Sequence, residues 1–202
     1  MTNNTIENIN FFPTLVRRIK NFLSVNECKL ITENMPPDVF STHPALWGSA
    51  TSSHTGSSTE NNALDHIEKI ISINDRLNKS ITEFEKAYGM KDSKIDNSWM
   101  NIQRPESLLK AHAHPSSIIS GALYIKVDDQ SSKLYFFNPN PYIDFVEYYN
   151  EPTGWTSYNY RTSWIIPEVG DLVLFPSWFK HGSEDINKSE ERIVLSFNTR
   201  YK

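Results

Sequence analysis

Up to about residue 90, apolar side chains recur every three or four positions; beyond that point they come in short runs rich in β-branched and aromatic residues. Ser24-Val-Asn-Glu27 reads as a capping box, with the serine capping a helix N-terminus and the glutamate reaching back to it. Val25, Cys28, Ile31 and Met35 follow as the predicted apolar face, and Pro36-Pro37 ends the helix because neither ring can donate to the ladder. Residues His43 to Asn62, rich in Ser, Thr, Gly and Asn, have no period and read as a loop. Leu64, Ile67, Ile70, Ile71, Asn74, Leu77, Ile81, Phe84 and Tyr88 then predict one long amphipathic helix, with Gly89 where a C-terminal cap belongs. Its apolar face requires a sheet to lie on.

The later runs predict strands at Ile95–Gln103, Ile118–Val127, Lys133–Phe137, Tyr158–Ile166, Leu172–Phe175 and Ile193–Thr199. Turn signals separate them at Arg104-Pro105, Asp128-Asp129, Asn138-Pro-Asn-Pro141 and Val169-Gly170-Asp171. The predicted fold class is mainly β with flanking helices, an antiparallel barrel or sandwich. No internal repeat divides the 202 residues, which read as a single domain: 1–92 largely helical support, 93–202 the β core.

Composition narrows the function classes. The net charge of −4 and the scattered basic residues give no electrostatic reason to expect nucleic acid or an anionic membrane as partner. The lone cysteine, Cys28, rules out an intramolecular disulfide and a thiolate metal cluster, and its apolar neighbours mark it as a core residue. No apolar run reaches the ~20 residues that span a bilayer. The polar first ten residues lack the pattern of a secretory signal, so a cytoplasmic location is expected.

Three of the six histidines are placed as if for metal. His112 and His114 flank Ala113, and in a strand residues i and i+2 face one side, so both imidazoles can converge on one ion. His181 follows the strand Leu172–Phe175 and can supply a third ligand from a strand distant in sequence. Three facial ligands leave three octahedral positions, as a redox iron needs for a bidentate co-substrate and O₂. The competing reading makes all three surface or loop residues. His43, His54 and His66 show no such pairing and read as surface residues.

Arg192, eleven positions after His181, opens the last strand. The ordered blocks His112-x-His114-Pro, Ile119-Ser-Gly-Ala-Leu-Tyr-Ile125, Gly170-Asp-Leu-Val-Leu-Phe-Pro-Ser-Trp178, His181 and Arg192 resemble the 2-oxoglutarate/Fe(II) oxygenase superfamily, in its prolyl-hydroxylase-like branch. Within that branch they are similar to a group of oxygenases common in bacteria and phages, whose opening Phe11-Phe-Pro-Thr14 also fits. The resemblance implies a double-stranded β-helix (jelly-roll, cupin-like) with N-terminal helices on its main sheet. It implies a cytoplasmic enzyme, in host cytoplasm if phage-encoded, that uses Fe(II), 2-oxoglutarate, O₂ and a further substrate.

Carried over by residue, His112 and His181 become iron ligands. The superfamily places Asp or Glu two residues after the first histidine; this chain has His114, a neutral ligand that leaves the iron one unit more positive. Arg192 would grip the distal carboxylate of 2-oxoglutarate bidentately. Its alternative is a surface pairing with Glu190 or Glu191. Tyr124 would set a phenol against the same carboxylate, or else pack as a core tyrosine; Ser196, at alternate spacing from Arg192, would add a hydroxyl on that face, and Asn101, on the strand before the ligands, would reach the co-substrate's other end. Trp47, Trp155, Trp164 and Trp178 read as core or pocket-wall residues. The aromatic stretch Tyr142–Asn159, with Phe145, Tyr148, Tyr149, Trp155 and Tyr158, reads as a loop over the barrel mouth. Two rival functions stay open: a three-histidine dioxygenase that does not use 2-oxoglutarate, and a non-catalytic jelly-roll binding or structural protein.

Overall fold

The computed structural model describes residues 12–35, 41, 45–53, 62–141, 154, 156–183 and 185–202. The Pro36-Pro37 stop, His43, His54, and most of the aromatic stretch (Phe145, Tyr148, Tyr149 and Trp155 included) lie outside the described residues.

The major sheet is antiparallel and six-stranded. Its order is β1 (Arg17–Ile19), β9 (Leu172–Pro176), β6 (Ile119–Lys126), β11 (Arg192–Tyr201), β4 (Ser93–Gln103), β3 (Ala50–Ser52). A second sheet joins β10 (His181–Gly182), β7 (Leu134–Phe137) and β8 (Thr162–Ile165), and β2 (Leu46–Trp47) pairs with β5 (Leu108–Leu109). The two larger sheets enclose a core of Tyr124, Val173, Phe175 and Val194 against Leu134 and Phe136. This is the double-stranded β-helix expected.

The period of two sorts each strand of the major sheet between two environments. From β11, Ile193, Leu195 and Phe197 join the helix-side core, while Arg192, Val194, Ser196 and Asn198 line the internal cavity. From β6, Ile119, Leu123 and Ile125 face the helices and Ser120, Ala122 and Tyr124 the cavity. Gly121 leaves room for Phe197, whose ring stands 2.1 Å from where a Cβ on that glycine would sit.

Helix α1 (Val25–Glu33) carries the complete capping box. Cys28 and Ile31 are buried against the sheet side, but Val25 is 70% exposed, so the expected face is narrower by one residue. The predicted long helix is two: α2 (Ala63–Glu68) and α3 (Asn74–Tyr88). The break has a local cause, since Glu68 accepts hydrogen bonds from the backbone of Ile73 and Asn74 at 2.8 and 2.9 Å and so caps a second helix. Gly89 ends α3 at φ 76°, as expected. Leu64, Ile67, Leu77, Ile81 and Phe84 are buried in one cluster with Met100 and Ile102 of β4. Both helices therefore lie on the outside of the major sheet.

The first part of the chain is less purely helical than expected, because β1 and β3 are edge strands of the major sheet. Two strands, β2 and β3, occupy part of the presumed loop 43–62. The strand expected from Tyr158 begins only at Thr162. No helix among the described residues is long and apolar enough to cross a membrane.

Candidate metal centre

His112 and His114 are not in a sheet strand, contrary to the sequence reading. They lie on an extended connection between β5 and β6. His112 exchanges two backbone hydrogen bonds with His181, both 2.9 Å, and the His114 N–H donates to the Ser177 carbonyl at 2.9 Å. The segment is thus laced to 177–181, which brings a distant third histidine alongside the pair.

The imidazoles converge. Ring centroids lie 4.9 Å apart for His112 and His114, 4.6 Å for His112 and His181, and 5.1 Å for His114 and His181. One nitrogen from each falls within 4.8 Å of the others, and Nε2 of His114 stands 3.3 Å from Nε2 of His181. His112 Nδ1 donates to the Lys110 carbonyl at 2.7 Å and His181 Nδ1 to that of Phe179 at 2.8 Å. A carbonyl only accepts, so both rings keep the proton on Nδ1 and present the Nε2 lone pair. Burial, with the neighbouring His112, pushes the His181 pKa down to about 3. That ring is neutral at neutral pH. Three imidazole nitrogens at this spacing suit a divalent transition metal such as iron.

The triad opens onto a cavity of about 490 Å³ between the sheets. Arg192 lines it and is buried, and none of the described carboxylates pairs with it. Its Nε donates to the Ser132 carbonyl at 3.1 Å, Nη1 donates to Gln103 Oε1, and the guanidinium carbon lies 5.2 Å from the Tyr124 ring centroid. Those two acceptors engage two of its five N–H groups, and the guanidinium also interacts with the Tyr124 hydroxyl. The surface alternative fails: Glu191 is held instead by Arg104 and Lys126. Burial pushes the Arg192 pKa downward, opposed by the adjacent phenol, yet a guanidinium stays charged.

Tyr124 is buried, and its hydroxyl makes no hydrogen bond of good geometry although it touches the guanidinium electrostatically. Burial raises its pKa, so it is a neutral O–H. Asn101 and Ser196 also line the cavity. An orphaned hydroxyl and an unpaired cation beside three imidazoles fit a metal with a dianionic co-substrate. All seven sequence candidates thus share one space.

The tryptophan reading needs correction. Trp47, Trp164 and Trp178 are 52%, 48% and 50% exposed. Trp47 lies on the short β2, Trp164 on β8 at one edge of the minor sheet, and Trp178 in the turn after β9, where it does wall a separate surface pocket with Pro13, Tyr88 and Pro139. The tryptophan in the cavity is Trp99, tilted against His114 with centroids 5.6 Å apart. Gln103, Asn198 and Ser120 also escaped the sequence reading. Alternation was the available signal, since Gln103 is two residues from Asn101, and Asn198 two from Ser196.

Residues 97–198 match the family model described as "Putative 2OG-Fe(II) oxygenase". No curated protein sequence matches. Among solved structures, HygX from Streptomyces hygroscopicus, with nickel and 2-oxoglutarate bound, aligns at TM-score 0.64 and 11% identity over 94% of this chain and 84% of its own. A Pseudomonas putida prolyl-4-hydroxylase aligns at 0.60 and 14%, covering 94% of both chains. The viral collagen prolyl hydroxylase of Paramecium Bursaria Chlorella virus-1, in its 2-oxoglutarate complex, aligns at 0.54 and 12%, covering 93% of this chain and 96% of its own. These likenesses establish the fold.

Proposed function

The chain belongs to the 2-oxoglutarate/Fe(II) oxygenase family, and from that premise we propose that His112, His114 and His181 hold its iron while Arg192 and Tyr124 anchor 2-oxoglutarate. Bound Fe(II) supplies the redox chemistry by which O₂ oxidises 2-oxoglutarate to succinate and CO₂ and places one oxygen atom in a substrate C–H bond.

The protein's own groups do the rest. The Lys110 and Phe179 carbonyls fix two imidazoles with Nε2 inward, so the ligand geometry is set before metal arrives. Arg192 presents its remaining N–H groups to the distal carboxylate, oriented by Gln103 and the Ser132 carbonyl. The Tyr124 O–H donates to the same carboxylate and so gains the partner it lacks. Asn101 and Ser196 flank the opposite part of the co-substrate. Phe175 and Leu134 close the cavity with apolar surface and keep bulk water from the reacting centre.

The observation that carries this reading is the buried Arg192, paired with no carboxylate among the described residues, in one cavity with three converging imidazoles. It also favours 2-oxoglutarate over a three-histidine dioxygenase without a co-substrate, which would have no use for that cation. The test is succinate release from 2-oxoglutarate by protein loaded anaerobically with Fe(II) and then given O₂. Wild type should release succinate and His181→Ala none; equal background release from both would refute the assignment.

A further inference from the structure

His114 stands where the family's carboxylate ligand belongs, and its second nitrogen is held unlike those of its partners. His112 and His181 each donate Nδ1–H to a backbone carbonyl two residues earlier. His114 Nδ1 instead meets a side chain from another strand, Asn198, whose amide nitrogen is 3.3 Å away. The Asn198 amide oxygen accepts from Ser120 Oγ at 2.7 Å, and Ser120 Oγ lies 2.8 Å from Ser177 Oγ. Asn198, Ser120 and Ser177 are 4%, 2% and 0% exposed, so bulk water cannot replace any member. The pairing register of β11 with β4 shifts between Asn198 and Thr199, a bulge of the kind that re-aims a side chain.

We propose, building on the metal centre above, that Asn198 backed by Ser120 and Ser177 is the positioning residue that sets the His114 tautomer for metal binding. A backbone carbonyl can only accept, but a carboxamide presents an acceptor on one side and a donor on the other. With Nδ2 toward His114, the amide donates to Nδ1, the ring proton sits on Nε2, and the lone pair points away from the metal. Turned by 180°, Oδ1 accepts from Nδ1–H and frees the Nε2 lone pair beside that of His181. Nδ2 then donates to Ser120 Oγ, and the Ser120 hydroxyl donates to Ser177 Oγ, a direction open to that pair of hydroxyls. Two adjacent hydroxyls let the chain of donors between His114 and Ser177 run either way. The Trp99 ring packs against His114 at an interplanar angle of 41°. The third ligand is thus fixed by a three-residue relay across β6, β11 and the turn after β9 rather than by its own segment.

The test reads Co(II) affinity by chelator competition, without 2-oxoglutarate or turnover. Asn198→Leu removes both amide roles at similar volume and should weaken Co(II) by about 10- to 100-fold, the range for an outer partner of a metal-bound histidine. Asn198→Asp can only accept from Nδ1–H and should bind at least as tightly as wild type. Ser120→Ala should weaken Co(II) several-fold in wild type yet leave Asn198→Asp unchanged, which keeps the test available if Asn198→Leu does not fold. A folded Asn198→Leu with wild-type affinity, an Asn198→Asp as weak as Asn198→Leu, or a Ser120→Ala effect undiminished by Asn198→Asp overturns the relay. A wild-type protein that takes up no Co(II) overturns the metal centre itself, a separate and recognisable failure.

Discussion

Arg192 is held by two neutral acceptors, the Ser132 carbonyl and Gln103 Oε1, with no acid paired to it among the described residues. A buried guanidinium so arranged keeps its full charge for an incoming carboxylate, whereas a resident Asp or Glu would compete with it. Tyr124 beside it is the complementary case, a buried hydroxyl without a well-formed hydrogen bond. Tyr124→Phe should leave the unfolding free energy unchanged or raise it by up to ~1 kcal/mol, since nothing satisfied is lost. The same change should raise KM for 2-oxoglutarate about tenfold, as expected when a hydrogen bond to a charged group is removed. Paired thermal unfolding and steady-state assays separate the two effects; lost stability with KM intact would return Tyr124 to the core. His112, His114, His181, Arg192 and Tyr124 were legible because ligand spacing and block order are linear properties of the chain. Gln103 and Asn198 were not, because their partners, Arg192 and His114, are 89 and 84 residues away in sequence and meet them only after the sheet forms.

Among the elements, those with a local chemical signature were legible and those defined by their partners were not. Ser24 and Glu27 announce α1, and Gly89 ends α3, because each carries its own capping chemistry. The two- and three-residue strands β1, β2, β3, β5 and β10 are too short to show a period and exist through their neighbours' hydrogen bonds. The break between α2 and α3 was hidden because Ile67, Ile70, Ile71 and Ile73 keep apolar residues at near-helical spacing through it. What breaks the helix is Glu68, whose carboxylate takes the backbone N–H groups of Ile73 and Asn74. Those N–H groups hold its pKa below the ordinary 4.5. A carboxylate with a depressed native pKa adds stability that is present above its unfolded pKa and lost as pH falls through the native value. Glu68→Gln should therefore be less stable than wild type at pH 7, with the gap narrowing at pH 3; urea unfolding at the two pH values measures it. A gap independent of pH would mean that the charge contributes nothing to the cap.

For the whole molecule, an ion held by the proposed triad would tie the minor sheet to the segment that leads into the major one, since His181 lies on β10 and His112 and His114 precede β6. An ion bound only by the folded chain stabilises it by mass action, about 2.7 kcal/mol at a hundredfold excess over Kd. For a chain of this size that corresponds to a rise of roughly 5–10 °C in Tm. Ni(II) should produce that rise in wild type and in Arg192→Lys but not in His181→Ala, as read by scanning calorimetry. An equal shift in His181→Ala would place the ion elsewhere. The central claim is that the histidine centre and Arg192 form one site for 2-oxoglutarate, and calorimetric titration of 2-oxoglutarate into anaerobic, Fe(II)-loaded protein tests it most directly. Arg192→Lys keeps the charge but loses the planar fork, so its Kd for 2-oxoglutarate should rise on the order of tenfold or more while iron affinity stays unchanged. Equal 2-oxoglutarate affinity in wild type and Arg192→Lys, or none in the iron-loaded wild type, would contradict the account.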